Sequence, residues 1–186
     1  MSKKNLVLSL SILLLTSMYA QAQSIVFVAD KIKVDFFSEA RMENIAATSQ
    51  TGAAAAINNT TRDVAFKVPI SSFRFEHKLM EEHFNETYME SDKYPYAIFK
   101  GKIAEKIDLT VEGEYPVTVE GTIDVHGVSK PRSFSGTIQN KGGRLFLDSK
   151  FLMPVSDHKI DIPNDKLSNI SQTIKVTLHA EFIRKK

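Results

Sequence analysis

From Val117 to His126 the chain alternates between two kinds of residue. Val117, Val119, Gly121, Ile123 and Val125 take one set of positions, and Thr118, Glu120, Thr122, Asp124 and His126 the other. Successive side chains of a strand point to opposite faces, so this period fits a half-buried β-strand with one dry and one wet face. Thr173 to Ile183 repeats it, with Ile174, Val176, Leu178, Ala180 and Phe182 set against Thr173, Lys175, Thr177, His179 and Glu181. After the first of these strands comes His126-Gly127-Val128-Ser129-Lys130-Pro131, where Gly127 can take a positive φ and Pro131 can open a strand without a ladder N–H. Ser133 to Gln139 then returns as the second arm of an antiparallel hairpin. One hairpin cannot close a core, so the other strands must supply the enclosure.

They do so within one domain. Residues 1–22 read as a leader: Lys3 and Lys4 precede an apolar run from Leu6 to Leu15, and Ala20-Gln21-Ala22 is a small-x-small cleavage signal, placing the mature start near Gln23. The apolar run is about ten residues, half the ~20 that a membrane-crossing helix needs. The expectation is an exported protein, periplasmic or secreted, with residues 23–186 as its single domain. The chain has no cysteine, which excludes a disulfide scaffold, a thiolate metal site, a cysteine nucleophile and a lipidated N-terminal cysteine. Such a domain must be held by its own hydrophobic core, and about 164 residues suffice for one. Without Lys3 and Lys4, 22 basic residues face 22 acidic ones, so nothing in the charge favours nucleic acid or an anionic membrane as partner.

Along the chain, Ser24–Ala29 and Lys31–Phe37 are strand candidates. Ile45–Ile57 is rich in Ala and Thr with a turn at Thr51-Gly52, and its small residues suit strands that bend tightly or lie against something bulky. Asn58-Asn59-Thr60-Thr61 is a turn signal. Arg62–Ile70 alternates again and carries Pro69 at an edge or bulge. From Ser72 to Asp92 the period of two disappears, and Leu79, Met80, His83, Phe84 and Tyr88 recur at helical spacing, which predicts one or two short helices ended before Tyr94-Pro95. Ala97–Lys106 and Arg144–Met153 are further strands, and Pro154–Ser171 is irregular, with a single turn at 165–169. About eight strands joined mostly by short turns make an all-β antiparallel meander that can remove its edges by closing into a barrel. Eight strands enclose a space either filled by side chains or able to hold one small ligand.

Several landmarks together resemble the YceI family of exported lipid-binding proteins. They are His83-Phe84 followed by Asp92-Lys93-Tyr94-Pro95, Phe99-Lys100-Gly101, Gly121-Thr122-Ile123, and the His126–Pro131 hairpin about thirty residues beyond Tyr94-Pro95. The similarity runs from Phe27 to Phe182. It implies a lipocalin-like eight-stranded antiparallel barrel with a small helix beside its mouth, and an apolar tunnel holding a long isoprenoid or other lipid in the periplasm. Met80-Glu81-Glu82-His83-Phe84 and Tyr88-Met89 depart from the widespread form of the helical segment, close to the expected mouth.

The histidines give little to chemistry. His77 and His83 lie on nearly opposite sides of a helix, His126 and His179 fall on the polar faces of their strands, and His158 is in a loop; no pair has ligand spacing, so no metal site or cofactor is expected. His83 is expected to pack and hydrogen-bond beside Tyr94 as a cap on the barrel end, with Phe84 and Tyr88 completing the mouth. There is no Gly-x-Ser-x-Gly and no glycine-rich phosphate loop, so no catalysis is expected. The expected lining is Phe66, Val68, Phe99, Val117, Val119, Ile123, Val125, Phe134, Ile138, Leu145, Leu147, Phe151, Ile174, Val176 and Leu178, with Gly121 leaving space in the lumen, such that Gly121→Leu would lower lipid occupancy without unfolding. By pattern alone these residues could instead touch one another in a solid barrel acting through its surface as a protein-interaction or stress-related module. The partner expectations are a hydrophobic small molecule and a second copy of the chain in a homodimer, with no nucleic acid and no membrane span.

Overall fold

The computed structural model describes residues 24–185; the expected leader and its cleavage site lie outside these. Ten strands appear among the described residues: β1 Val26–Glu39, β2 Asn44–Ser49, β3 Ala54–Asn58, β4 Asp63–Pro69, β5 Arg74–Phe75, β6 Tyr96–Ile103, β7 Gly113–Val125, β8 Val128–Lys141, β9 Arg144–Pro154 and β10 Thr173–Arg184. All pairings are antiparallel, and β10 returns to pair with β1, closing the sheet.

The ten strands fill eight positions around a barrel. The two N-terminal candidates are one long strand, β1, with a register shift between Ala29 and Lys31. β3 pairs with its first residues (Val26↔Asn58 to Val28↔Ala56) and β2 with its last (Val34↔Ser49 to Glu39↔Asn44), so β2 and β3 are two halves of one broken strand. The break contains Gly52 at φ +73, a conformation that glycine adopts without a Cβ penalty. Below the break β3 passes its edge to β4, while above it β2 pairs with the short β5. Ser72 Oγ donates to the Pro69 carbonyl at 2.6 Å and meets the buried Ser49 Oγ at 2.6 Å, tying the end of β2 to the link between β4 and β5.

The helical segment stands over this split: α1, Lys78–His83, runs directly into a π-helical turn at Phe84–Tyr88. Further short 3-10 turns occupy Ile70–Ser72, Val155–His158 and Asn164–Lys166.

The barrel's two ends differ. At the far end Phe27, Ile57, Ile103, Leu109, Leu145 and Phe182 are fully buried, and Phe66 meets Phe182 edge to face at 6.1 Å. Leu109 is inserted there by its own backbone: its N–H donates to Asn59 Oδ1 at 2.8 Å and its carbonyl accepts from Asn140 Nδ2 at 2.7 Å. Two side-chain amides thus satisfy the polar groups that an irregular loop would otherwise bury unpaired.

Candidate functional site

Toward the other end the inward residues stop touching. Ile174, Ala180 and Phe182 of β10 are buried, yet Val176 and Leu178, in the same inward phase, are only half-buried, as are Phe134, Phe151, Val68 and Phe36. What they face is a cavity of about 550 Å³, within the ~300–1,000 Å³ typical of sites for small organic ligands. The barrel is therefore hollow, and the solid-barrel alternative does not describe it.

The wall is built by the alternation seen in the sequence. Phe66 and Val68 of β4, Phe99 of β6, Val117, Val119, Ile123 and Val125 of β7, Phe134 and Ile138 of β8, Leu147 and Phe151 of β9, and Ile174, Val176 and Leu178 of β10 all line the cavity. Phe99, Phe134 and Phe151 form a continuous aromatic run, with centroids 5.3 and 4.3 Å apart. At the mouth Phe84 is set among Phe36, Phe73 and Phe75 at 5.9, 5.7 and 5.0 Å, forming an aromatic lid with Tyr88 and Met89 beside the cavity. Glu43, His83, Lys166 and Asn169 enter the lining at the rim, with Asn169 Nδ2 donating to Glu43 Oε2 at 3.2 Å, and Ser135 and Ser149 enter it in the wall between β8 and β9.

Three expected residues lie elsewhere. Leu145 is packed into the solid far end, away from the cavity. Gly121 does not open the lumen. It faces Gly101 across the β6–β7 ladder, and a Cβ built on it would lie 2.2 Å from the Lys100 carbonyl oxygen and 2.5 Å from Gly101 Cα. The missing side chain is needed so that two backbones can approach. Phe99 folds over the same spot, its ring tip 2.6 Å from where a Gly101 Cβ would be. The third is Tyr94, whose ring packs edge-on against His126 at 4.6 Å, not beside His83. His83 is exposed on the rim.

The histidines of the hairpin and the irregular segment are more buried than expected. β7 ends at Val125, and His126-Gly127 form a two-residue turn with both φ positive, at +53 and +69, the geometry of a type I′ hairpin. That turn takes His126 off the polar strand face and folds it inward. Its side chain is 11% exposed, with Nε2 2.8 Å from Glu90 Oε2 and Nδ1 3.2 Å from the His158 carbonyl. His158 is itself buried, and its Nδ1 donates to the Val128 carbonyl at 2.9 Å. Gly127 leaves room for the Tyr94 ring, which would be 2.5 Å from a Cβ there. The family landmarks therefore build a polar latch joining three mouth segments, outside the cavity.

Sequence reasoning missed several lining residues. Val34 and Phe36 of β1 had the signal, an alternation with Lys33 and Asp35, and Ile57 and Val64 sit in the same phase as recognised strand positions. Met80 had the helical period of its segment, while Ile70, Phe73, Met89, Ile160, Ile162 and Ile170 come from connections where no period marks an inward face. Among the described residues no group of three or more His, Cys, Asp or Glu side chains could hold a metal ion, and no helix is long and apolar enough to cross a membrane.

Solved structures of known proteins share this architecture. A polyisoprenoid-binding domain from Saccharophagus degradans implicated in plant cell wall breakdown superposes with a TM-score of 0.73 at 16% identity, covering 86% of this chain and 98% of that one. BcnA of Burkholderia cenocepacia gives 0.67 at 14%, with 81% and 95% covered. The YceI protein of Campylobacter jejuni gives 0.57 at 20%, with 73% and 81% covered. No curated protein matches by sequence. The YceI-like domain model matches residues 18–182, nearly the whole chain, and with the closed barrel it shows that this protein belongs to the YceI family.

Proposed function

We propose that the protein binds a long-chain lipid, of the isoprenoid class, inside the barrel and transforms nothing. The observation that carries this reading is the cavity: about 550 Å³ walled mainly by aliphatic and aromatic side chains, with its charged groups gathered at one rim. An apolar chain hiding ~400 Å² there would gain ~10 kcal/mol at ~25 cal/mol per Å². Association costs of ~4 kcal/mol or more are set against that, so a preformed interior decides whether binding is tight. The cavity is preformed, because the ladders around the barrel and the packed far end hold its wall. The fold shared with a polyisoprenoid-binding domain supports the same ligand class. The leader features of residues 1–22 support export to the periplasm or beyond.

Mass spectrometry of an organic extract of the purified protein tests this directly. A stoichiometric long-chain lipid is the expected result. Protein that stays empty after incubation with isoprenoid and fatty-acyl vesicles would overturn the reading.

A further inference from the structure

The barrel wall is incomplete at one seam. The ladder between β8 and β9 runs from Lys141↔Arg144 to Gly136↔Ser149 and stops there, although β8 reaches back to Val128 and β9 on to Pro154. Over that stretch β8 remains paired with β7, and β9 with β10, on their other sides. Among the described residues no strand pairs with the two facing edges. Continued at the same register, the ladder would set Ser135 opposite Lys150, Phe134 opposite Phe151 and Pro131 opposite Pro154. Two prolines without N–H groups face each other at the top, so that end cannot be closed by a rung.

The opening is a window with fixed borders. At its lower border Ser149 Oγ donates to the Ser135 carbonyl at 2.6 Å. At its upper border Arg132 is paired with Asp157, and His158 Nδ1 holds the Val128 carbonyl. Ser135, Gly136 and Ser149 line the inner cavity and also a groove on the outer wall, whose other residues are Thr137, Asp148, Lys150, Thr177 and His179. A dry interior and a polar exterior thus meet across three small residues. Inside, the bulk across the gap is the Phe134–Phe151 pair, while the barrel end is covered by Phe84 and the three rings around it. In the groove His179 engages Asp148, which leaves Lys150 as the charge open to a ligand.

We propose that this window is a lateral portal, an inference resting on the lipid-binding reading above. A single-chain amphiphile enters tail first between Phe134 and Phe151, and its anionic oxygen head, carboxylate or phosphate, stays in the outer groove against Lys150 and the hydroxyls of Thr137 and Thr177. The chain has no cysteine, so a Ser135→Cys, Lys150→Cys variant can be bridged cleanly across the window with a short bis-maleimide. Uptake of cis-parinaric acid, followed by stopped-flow fluorescence, should slow at least tenfold relative to the same variant capped with N-ethylmaleimide. Phe151→Ala should speed uptake several-fold and Phe84→Ala should not. Lys150→Glu should weaken the acid and leave its methyl ester unaffected. Unchanged uptake after bridging confirmed by mass, or acceleration by Phe84→Ala alone, overturns the portal and leaves the lipid site standing. If the capped variant and the wild type both fail to take up the probe, the lipid site and the portal fall together.

Discussion

A methyl group added at Gly121 would meet the Lys100 carbonyl oxygen at 2.2 Å, well inside van der Waals contact and against backbone that cannot rotate away. Overpacking of this kind costs about 1–3 kcal/mol and sometimes more. Gly121→Ala should therefore destabilise the barrel by about 3 kcal/mol or more, read from denaturant unfolding, and Gly121→Leu should fail to give a folded barrel, in contrast to the expectation from pattern alone. A second residue argues the same way from burial. His126 meets an acceptor on each side and an aromatic face on a third, so His126→Ala leaves Glu90 and the His158 carbonyl short of a partner and should cost about 1–3 kcal/mol in urea titration. Both residues look assignable by period, and for both the period misleads. Glycine in an inward phase signals either empty space or close backbones, and only the partner strand tells which. A histidine one step past a strand's last residue obeys its turn and not the alternation.

Among the elements, the β6–β7 connection owes part of its order to one carboxylate. Both oxygens of Glu105 accept from the Thr118 N–H, at 3.0 and 2.9 Å, and Ala104 N–H donates to the Thr118 carbonyl at 2.9 Å, prolonging the ladder beyond Ile103. That backbone donor holds the Glu105 carboxyl below its usual range. A depressed folded-state value favours the ionised form in the folded protein. Its contribution is complete above the ordinary carboxylate range near pH 4.3 and is lost as pH falls through the folded-state value. Glu105→Gln should thus lower stability by less than about 1 kcal/mol at neutral pH, screened as the group is by solvent, and the gap from wild type should narrow as the pH falls below the ordinary carboxylate range in an acid titration of unfolding. The helical lid carries a larger effect. Phe84→Ala removes the ring that three others pack on, and Phe→Ala changes cost about 3–5 kcal/mol when fully buried, so about 2 kcal/mol is expected for this half-buried site. The strands themselves were legible because each buries one face, and a period of two survives any arrangement of neighbours. The broken strand formed by β2 and β3 was not, since its division depends on which edge each half finds. The run of alanines showed only that something approached closely there.

For the whole molecule, the lining could be read because closure turns every inward phase toward one space, whereas hollowness could not. Val176 and Leu178 have the same residue types as the buried Ile174 and differ only in what stands opposite. Filling that space should separate binding from folding. Val176→Phe combined with Leu178→Phe adds bulk where the wall is half-exposed, so bound probe should fall to a small fraction of wild type while the thermal midpoint stays level or rises. Loss of the midpoint together with binding would show that those positions are already packed.

The Leu109 plug, fastened by Asn59 and Asn140, gives the interior a floor as well as a wall. A sleeve open at both ends would accept a thread of any length, but one stoppered at the toe has a fixed depth. The depth available to anything held in that interior therefore has one fixed end, and two asparagines keep it in place.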